Sequence, residues 1–143
     1  MTISRKWITA LTAAVLAAGT LTAASSATAA TGPAAQSSCY LAQSTAYPGF
    51  EGNNLHCAPR AGAAAYYEPD GNEHWSNVMG TFSGSQREFF CWKEGATHSG
   101  GNNVWYKSWA DEPSVGHGFS IGYVKSTDVY TGDTHPYPGL RHC

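Results

Sequence analysis

The sequence predicts an all-β fold of four to six short strands. Aromatic and β-branched residues gather in short runs, and turn sequences rich in glycine and asparagine separate those runs. Beyond the amino-terminal segment, no window holds an apolar pattern at helical spacing. The stretch from Gln86 to Val129 organises the chain, with two strand-like runs, Arg87-Glu88-Phe89-Phe90-Cys91-Trp92-Lys93 and Val104-Trp105-Tyr106-Lys107-Ser108-Trp109. In the second, alternation places Val104 and Tyr106 on one face and Trp105, Lys107 and Trp109 on the other.

At the start of the chain, Arg5 and Lys6 supply a positive region, Trp7 to Leu21 is apolar or small, and Ala27-Thr28-Ala29 offers an Ala-x-Ala cleavage site. The apolar run, about 15 residues, falls short of the roughly 20 needed to span a bilayer. Residues 1–29 are therefore expected to be a cleaved signal peptide, and cleavage after Ala30 fits the same pattern. The expectation is a secreted, extracellular protein with no membrane contact after cleavage. Residues 30–38 are small and polar with nothing to bury, and predict a flexible arm.

From residue 39 to 62, Tyr47-Pro48-Gly49-Phe50-Glu51-Gly52-Asn53-Asn54 is turn chemistry, so a looped segment closed by its own cysteine pair is expected. The strands come next. Ala63 to Tyr67 is the first. Glu68-Pro69-Asp70-Gly71-Asn72 then turns into a long loop through Trp75, because proline suits the second turn position and Asp-Gly tolerates left-handed backbone geometry. Val78 to Phe82 is the second strand, Ser83-Gly84-Ser85 a tight turn into the third, and Val104 to Trp109 and Phe119 to Lys125 are the fourth and fifth.

Four cysteines, Cys39, Cys57, Cys91 and Cys143, all lie beyond the signal segment. An even number in a small exported domain predicts two disulfides, of three possible connectivities. Cys39 with Cys57, a local closure, and Cys91 with Cys143, which ties the carboxyl end to a central strand, is the preferred pairing. Without Arg5 and Lys6, six basic side chains face ten acidic ones, a net charge of −4 with histidines neutral. That balance argues against a nucleic-acid partner, which needs a basic patch.

Each candidate for chemistry has a plainer reading. Six histidines, His56, His74, His98, His117, His135 and His142, lack the spacing that puts two imidazoles on one face, and read as solvated loop residues rather than metal ligands. Cys91 with His98 lacks the setting that activates a thiol, and a disulfide explains the cysteine. Asp111-Glu112 reads as a charged loop tip, because glycosidic carboxylates face each other across a substrate. Ser99-Gly100-Gly101-Asn102 precedes no helix and is a turn rather than a phosphate cradle. No enzyme, metal or cofactor is expected. The aromatic rings remain, because flat rings stack on sugars and prolines at low entropy cost. At least half of them belong to the core. Tyr67, Trp75, Trp105 and Trp109 are the expected surface ligand-binding residues, from strand alternation and loop position.

The order Val78-Met79-Gly80-Thr81-Phe82-Ser83-Gly84-Ser85, Phe89-Phe90-Cys91-Trp92, Val104-Trp105-Tyr106-Lys107 and Gly122-Tyr123-Val124 resembles bacterial SH3 (SH3b) domains. It is most similar to small secreted, cysteine-containing actinobacterial versions, in which Gly-Gly-Asn-Asn-Val-Trp-Tyr and a Pro-Tyr-Pro-Gly-Leu tail ending in cysteine recur. The resemblance covers residues 63–143. Two places depart from it: Ala64-Ala65-Tyr66-Tyr67-Glu68-Pro69 replaces the family's Asn-Val-Arg-type opening, and the connection from Trp109 to Gly118 is long. The resemblance implies a small SH3-like barrel of about five to six strands, with the disulfide-tied loop segment at 39–62 covering one end. It also implies noncovalent binding of cell-wall peptide or glycan, in a groove between Tyr67–Trp75 and Glu94–Asn103. The other function compatible with the sequence is a protein-interaction factor, either an inhibitor of a secreted enzyme or an adaptor in a secreted complex. The expected partner is thus a cell-wall component or an extracellular protein.

Overall fold

A computed structural model describes residues 39–118 and 120–143. The signal peptide expected at 1–29, the arm at 30–38, and Phe119 at the head of the expected fifth strand lie outside the described residues. The strands are β1 (Tyr40–Ser44), β2 (Gly52–Cys57), β3 (Ala64–Tyr66), β4 (Val78–Thr81), β5 (Arg87–Glu94), β6 (Val104–Trp109), β7 (Glu112–Pro113) and β8 (Ile121–Lys125), with single 3₁₀ turns at Trp75–Asn77 and Ser126–Asp128. All pairings are antiparallel, in one sheet ordered β1-β2-β5-β6-β8-β3-β4-β7.

The class is all-β, as expected, but the architecture differs from a closed barrel of five to six strands. The sheet has eight strands and stays open, with β1 and β7 as its edges. The difference arises between residues 39 and 62, which form the hairpin β1–β2 rather than a loop segment, and β2 joins the sheet through Leu55 opposite Phe89 and Cys57 opposite Arg87. The turn chemistry at Tyr47–Phe50 is real, with the Phe50 amide donating to the Tyr47 carbonyl at 2.9 Å. Its flanks become strands because Leu55 and Cys57 alternate into the core. Asn54, a poor strand former by composition, is held fully buried by donating to the Phe50 carbonyl at 2.9 Å and to Glu88 at 3.3 Å.

The sheet rolls up without closing. Phe89 of β5 and Phe82, just after β4, lie four strand positions apart, which in a flat sheet is roughly 19 Å. Their ring centroids are 6.2 Å apart. The inner face therefore encloses one core containing Leu55, Ala65, Phe82, Phe89, Val104, Tyr106 and Val124, with Val129 and Leu140 contributed from beyond β8. The outer face carries a second cluster of Tyr66, Trp105 and Tyr123. Asp111, expected at a loop tip, instead accepts from the Ser83 amide at 2.8 Å and hydroxyl at 2.9 Å and pairs with Arg87, fixing the turn between β4 and β5. Glu112 is exposed in β7.

Both disulfides form in the expected pairing, Cys39–Cys57 and Cys91–Cys143. Beyond Phe89, β2 no longer accompanies β5, and the carboxyl tail takes its place. The Trp92 amide donates to Arg141 at 3.0 Å, the Cys143 amide donates to Trp92 at 2.8 Å, and the Trp92 indole donates to Leu140 at 3.0 Å. The preceding loop is tied to the core by the Tyr106 hydroxyl, which accepts from the Tyr137 amide at 2.8 Å. Burial pushes the pKa of Tyr106 up to about 12.

The chain should show no reactive thiol under denaturing, non-reducing conditions and a mass four hydrogens below its reduced form. Two or more alkylated cysteines would contradict the framework. In the chain-entropy view, replacing Cys91 and Cys143 by alanine should cost about 4 kcal/mol in urea unfolding, and replacing Cys39 and Cys57 about 3 kcal/mol. A pH effect is also expected at His135, where burial, aided by nearby His98, pushes the imidazole below its ordinary pKa of 6.5. The unfolded chain then binds the proton more readily, so stability should fall as pH drops from 6.5 through the lower folded value. Urea midpoints measured between about pH 7.5 and 5 should show a shallower decline for His135→Gln.

Candidate functional site

The connection between β3 and β4 carries the two large aromatic side chains most open to solvent among the expected site residues. Tyr67 is 62% exposed and Trp75 78%. The loop is nevertheless well organised. Asp70 accepts from the Asn72 amide at 2.8 Å, and Asn72 accepts from the His74 amide at 3.1 Å, each an Asx-type turn. His74 caps the short 3₁₀ turn, its Nδ1 accepting from the Ser76 amide at 3.4 Å and lying 3.0 Å from the Ser76 hydroxyl.

Asn77 closes this loop from beneath. Its buried amide donates to the carbonyls of Glu68 at 3.0 Å and Asn72 at 2.8 Å and to the Asp70 carboxylate at 3.3 Å, while its oxygen accepts from the Glu68 amide at 3.2 Å. The Asn77 carbonyl also accepts from the Tyr67 amide at 2.8 Å. One side chain thus satisfies backbone groups that a loop of this length would otherwise leave to water. Two ion pairs fasten the same loop to the sheet, Glu68 with Lys93 at 3.3 Å and Glu73 with Lys125 at 2.5 Å.

Beside the loop lies a cleft of ≈ 360 Å³ lined by Tyr67, Asn72, Ser76, Asn77, Met79 and His117. Its lining offers one ring, one thioether, amides, a hydroxyl and an imidazole, with no lysine, arginine or carboxylate. His74 and Ser76 are too exposed, and too lacking in an orienting third group, for nucleophilic catalysis; their contact is a cap. Among the described residues, no group of three or more His, Cys, Asp or Glu is placed to hold a metal ion. The arrangement suits noncovalent contact with an uncharged ligand.

The other two expected site residues lie elsewhere. Trp105 is buried, at 1% exposure. Alternation does put it on the outer face, but the outer face is covered there: the Ala96 amide donates to Pro69 at 2.8 Å, joining the β3–β4 and β5–β6 loops over the ring. Trp105 fills the space between them, donating to the Ala96 carbonyl at 2.9 Å and packing edge-on against Tyr66 and His98. Gly95 allows this approach, since a Cβ there would collide with the Pro69 carbonyl. The expected groove between these loops is therefore occupied by the protein's own indole. Trp109, four residues along β6 and so about 13 Å away, is half-buried against Tyr47 under the β1–β2 turn.

His98 also departs from the expected solvated loop position. It is buried, its Nδ1 accepts from the Gly100 amide at 3.1 Å, and its Nε2 bonds the Val104 carbonyl at 3.1 Å. Asn72, Ser76, Met79 and His117 were not legible as cleft residues. The Asp-Gly-Asn turn was a local signal for the loop, but His117 reaches the cleft only through the fold. In comparisons with known proteins, no family model, curated protein or solved structure matches this chain.

Trp105→Ala should lower stability by roughly 3 to 5 kcal/mol, the cost of emptying a buried aromatic site. Urea unfolding measures it, and a change under about 1 kcal/mol would mean that the ring is not packed as described.

Proposed function

We propose that the protein is a secreted, noncovalent binding module that recognises cell-wall peptide or glycan at the β3–β4 loop and its cleft. The observation that carries this reading is the exposure of Tyr67 and Trp75 on a loop pinned by Asn77 and two ion pairs. Large rings kept in water cost stability, and a loop held in place loses little entropy when a ligand arrives. The uncharged cleft lining suits sugar hydroxyls, acetamido groups and peptide amides. The resemblance of the aromatic motif order to SH3b domains supports the ligand class. Two disulfides are compatible with an extracellular setting. No helix among the described residues is long and apolar enough to cross a membrane.

The protein should be retained by purified peptidoglycan. Trp75→Ala and Tyr67→Ala should each weaken retention by on the order of 2 kcal/mol. Both side chains are exposed, so the melting temperature should hold within a degree or two. Undiminished retention by both variants would move the site elsewhere, and soluble fragments released from the wall would replace binding by catalysis.

A further inference from the structure

The sheet has one open edge of useful length. β1 pairs with β2 along all five residues, and among the described residues no strand pairs with its other side. Edge strands are commonly blunted by lysine, proline or a bulge. Tyr40-Leu41-Ala42-Gln43-Ser44 has no charge and no proline, and its register with β2 is unbroken.

A cleft of ≈ 490 Å³ adjoins this strand, lined by Tyr40, Leu41, Thr131, Thr134, Tyr137 and Pro138. Tyr40 and Leu41 are successive strand residues and point to opposite faces. Tyr40 stacks on His56 at 5.1 Å on the outer face, while Leu41 packs against the inner core. A cleft that touches both, and also the 131–138 segment, adjoins the β1 edge that no strand among the described residues pairs with. The far wall is fixed, because Tyr137 donates through its amide to Tyr106 at 2.8 Å and through its hydroxyl to the Cys39 carbonyl at 2.9 Å.

We propose that the edge of β1 and this cleft receive an extended, uncharged segment of a partner protein, which joins the sheet as a further strand. Main-chain hydrogen bonds to the edge supply affinity, and alternate side chains entering the cleft supply selectivity. The lining of rings, threonine hydroxyls and proline, free of charge, selects apolar or hydroxyl-bearing side chains. A second copy of this chain fits less well. Two-fold pairing of β1 with itself is antiparallel and would bring the other copy's Gln43 and Ser44 to the cleft, one an amide and the other too small to fill it.

The test titrates isotope-labelled protein with acetylated, amidated Thr-Val-Thr-Val-Thr and with the same peptide N-methylated at alternate residues, monitored by NMR. Perturbations should concentrate on Leu41, Ala42, Gln43, Thr131 and Thr134. N-methylation should weaken binding by at least about tenfold, because it removes the edge hydrogen bonds. Thr134→Glu places a charge in the uncharged cleft at an exposed position, and should weaken binding by about tenfold with an unchanged melting temperature. Equal binding of the methylated peptide, perturbations at Tyr67 to Met79 instead, or no perturbation at millimolar peptide would each overturn the proposal. Concentration-dependent perturbation of β1 without peptide would also overturn it, by assigning the edge to a second copy. The β3–β4 cleft plays no part in these readouts, so either site can fail independently.

Discussion

The central ladder β5–β6–β8 must be buried on both faces, and most of the structure answers that requirement. Val104, Trp105 and Tyr106 are successive in β6, point alternately inward and outward, and are all buried. Rolling the sheet until Phe82 meets Phe89 covers the inner face. Among the described residues the outer face has no second sheet or helix to cover it. It is covered by connections: the β1–β2 turn lays Tyr47 and Phe50 over Phe90, and the β3–β4 loop lies over Trp105. The carboxyl tail joins that cover, with Cys143 bonded to Cys91 and Arg141 donating to the Glu51 carbonyl at 2.5 Å.

Lysine completes the outer face. Lys93, Lys107 and Lys125, the three lysines among the described residues, all stand there, and each lies over a tyrosine ring. The ammonium nitrogens stand 4.7 Å (Lys93), 5.1 Å (Lys107) and 5.9 Å (Lys125) from those ring centroids, so cation–π attraction adds to the cover. Lys93 and Lys125 also hold the β3–β4 loop through Glu68 and Glu73. The exposed Glu68–Lys93 pair contributes at most about 1 kcal/mol, so it positions the loop more than it stabilises the fold, whereas Lys125 of the second pair is itself buried. The backbone bonds made by Asn77 do the larger share of that positioning, and a rigid loop can present exposed rings without collapsing onto them.

The same requirement divides the aromatic residues into two populations. Phe82, Phe89, Phe90, Trp105 and Tyr106 are fully buried, whereas Tyr67 and Trp75 project from a loop whose backbone is already satisfied. In a small domain with few aliphatic residues, rings take the packing role that leucine and isoleucine have elsewhere, and only rings beyond that need are free for contact. Exposure, rather than the number of aromatic residues, separates rings available for contact from rings used in packing here.

Local chemistry was enough to set the all-β class, the positions of β3, β4, β5, β6 and β8 and the glycine turns, because strand alternation and turn residues act over short stretches of chain; for the cysteines it offered only a preference among three connectivities. It also picked Tyr67, at a strand end, and Trp75, in a loop, as surface residues, beside Trp105 and Trp109. Local pattern could not reveal that residues 39–62 hold a hairpin, since Asn54 becomes a strand residue only when Glu88 and Phe50 supply its partners. Nor could it reveal that Trp105 is covered. Alternation assigns a side chain to a face, but which loops fold over that face depends on contacts far apart in sequence, here Pro69 with Ala96 and Glu68 with Lys93. His117 and Met79 likewise meet at one cleft only because β7 pairs with β4 and the Ser114 amide donates to the Met79 carbonyl at 2.9 Å. What depends on the periodicity of a strand could be read from its own residues; what depends on which surface meets which was decided by the tertiary structure.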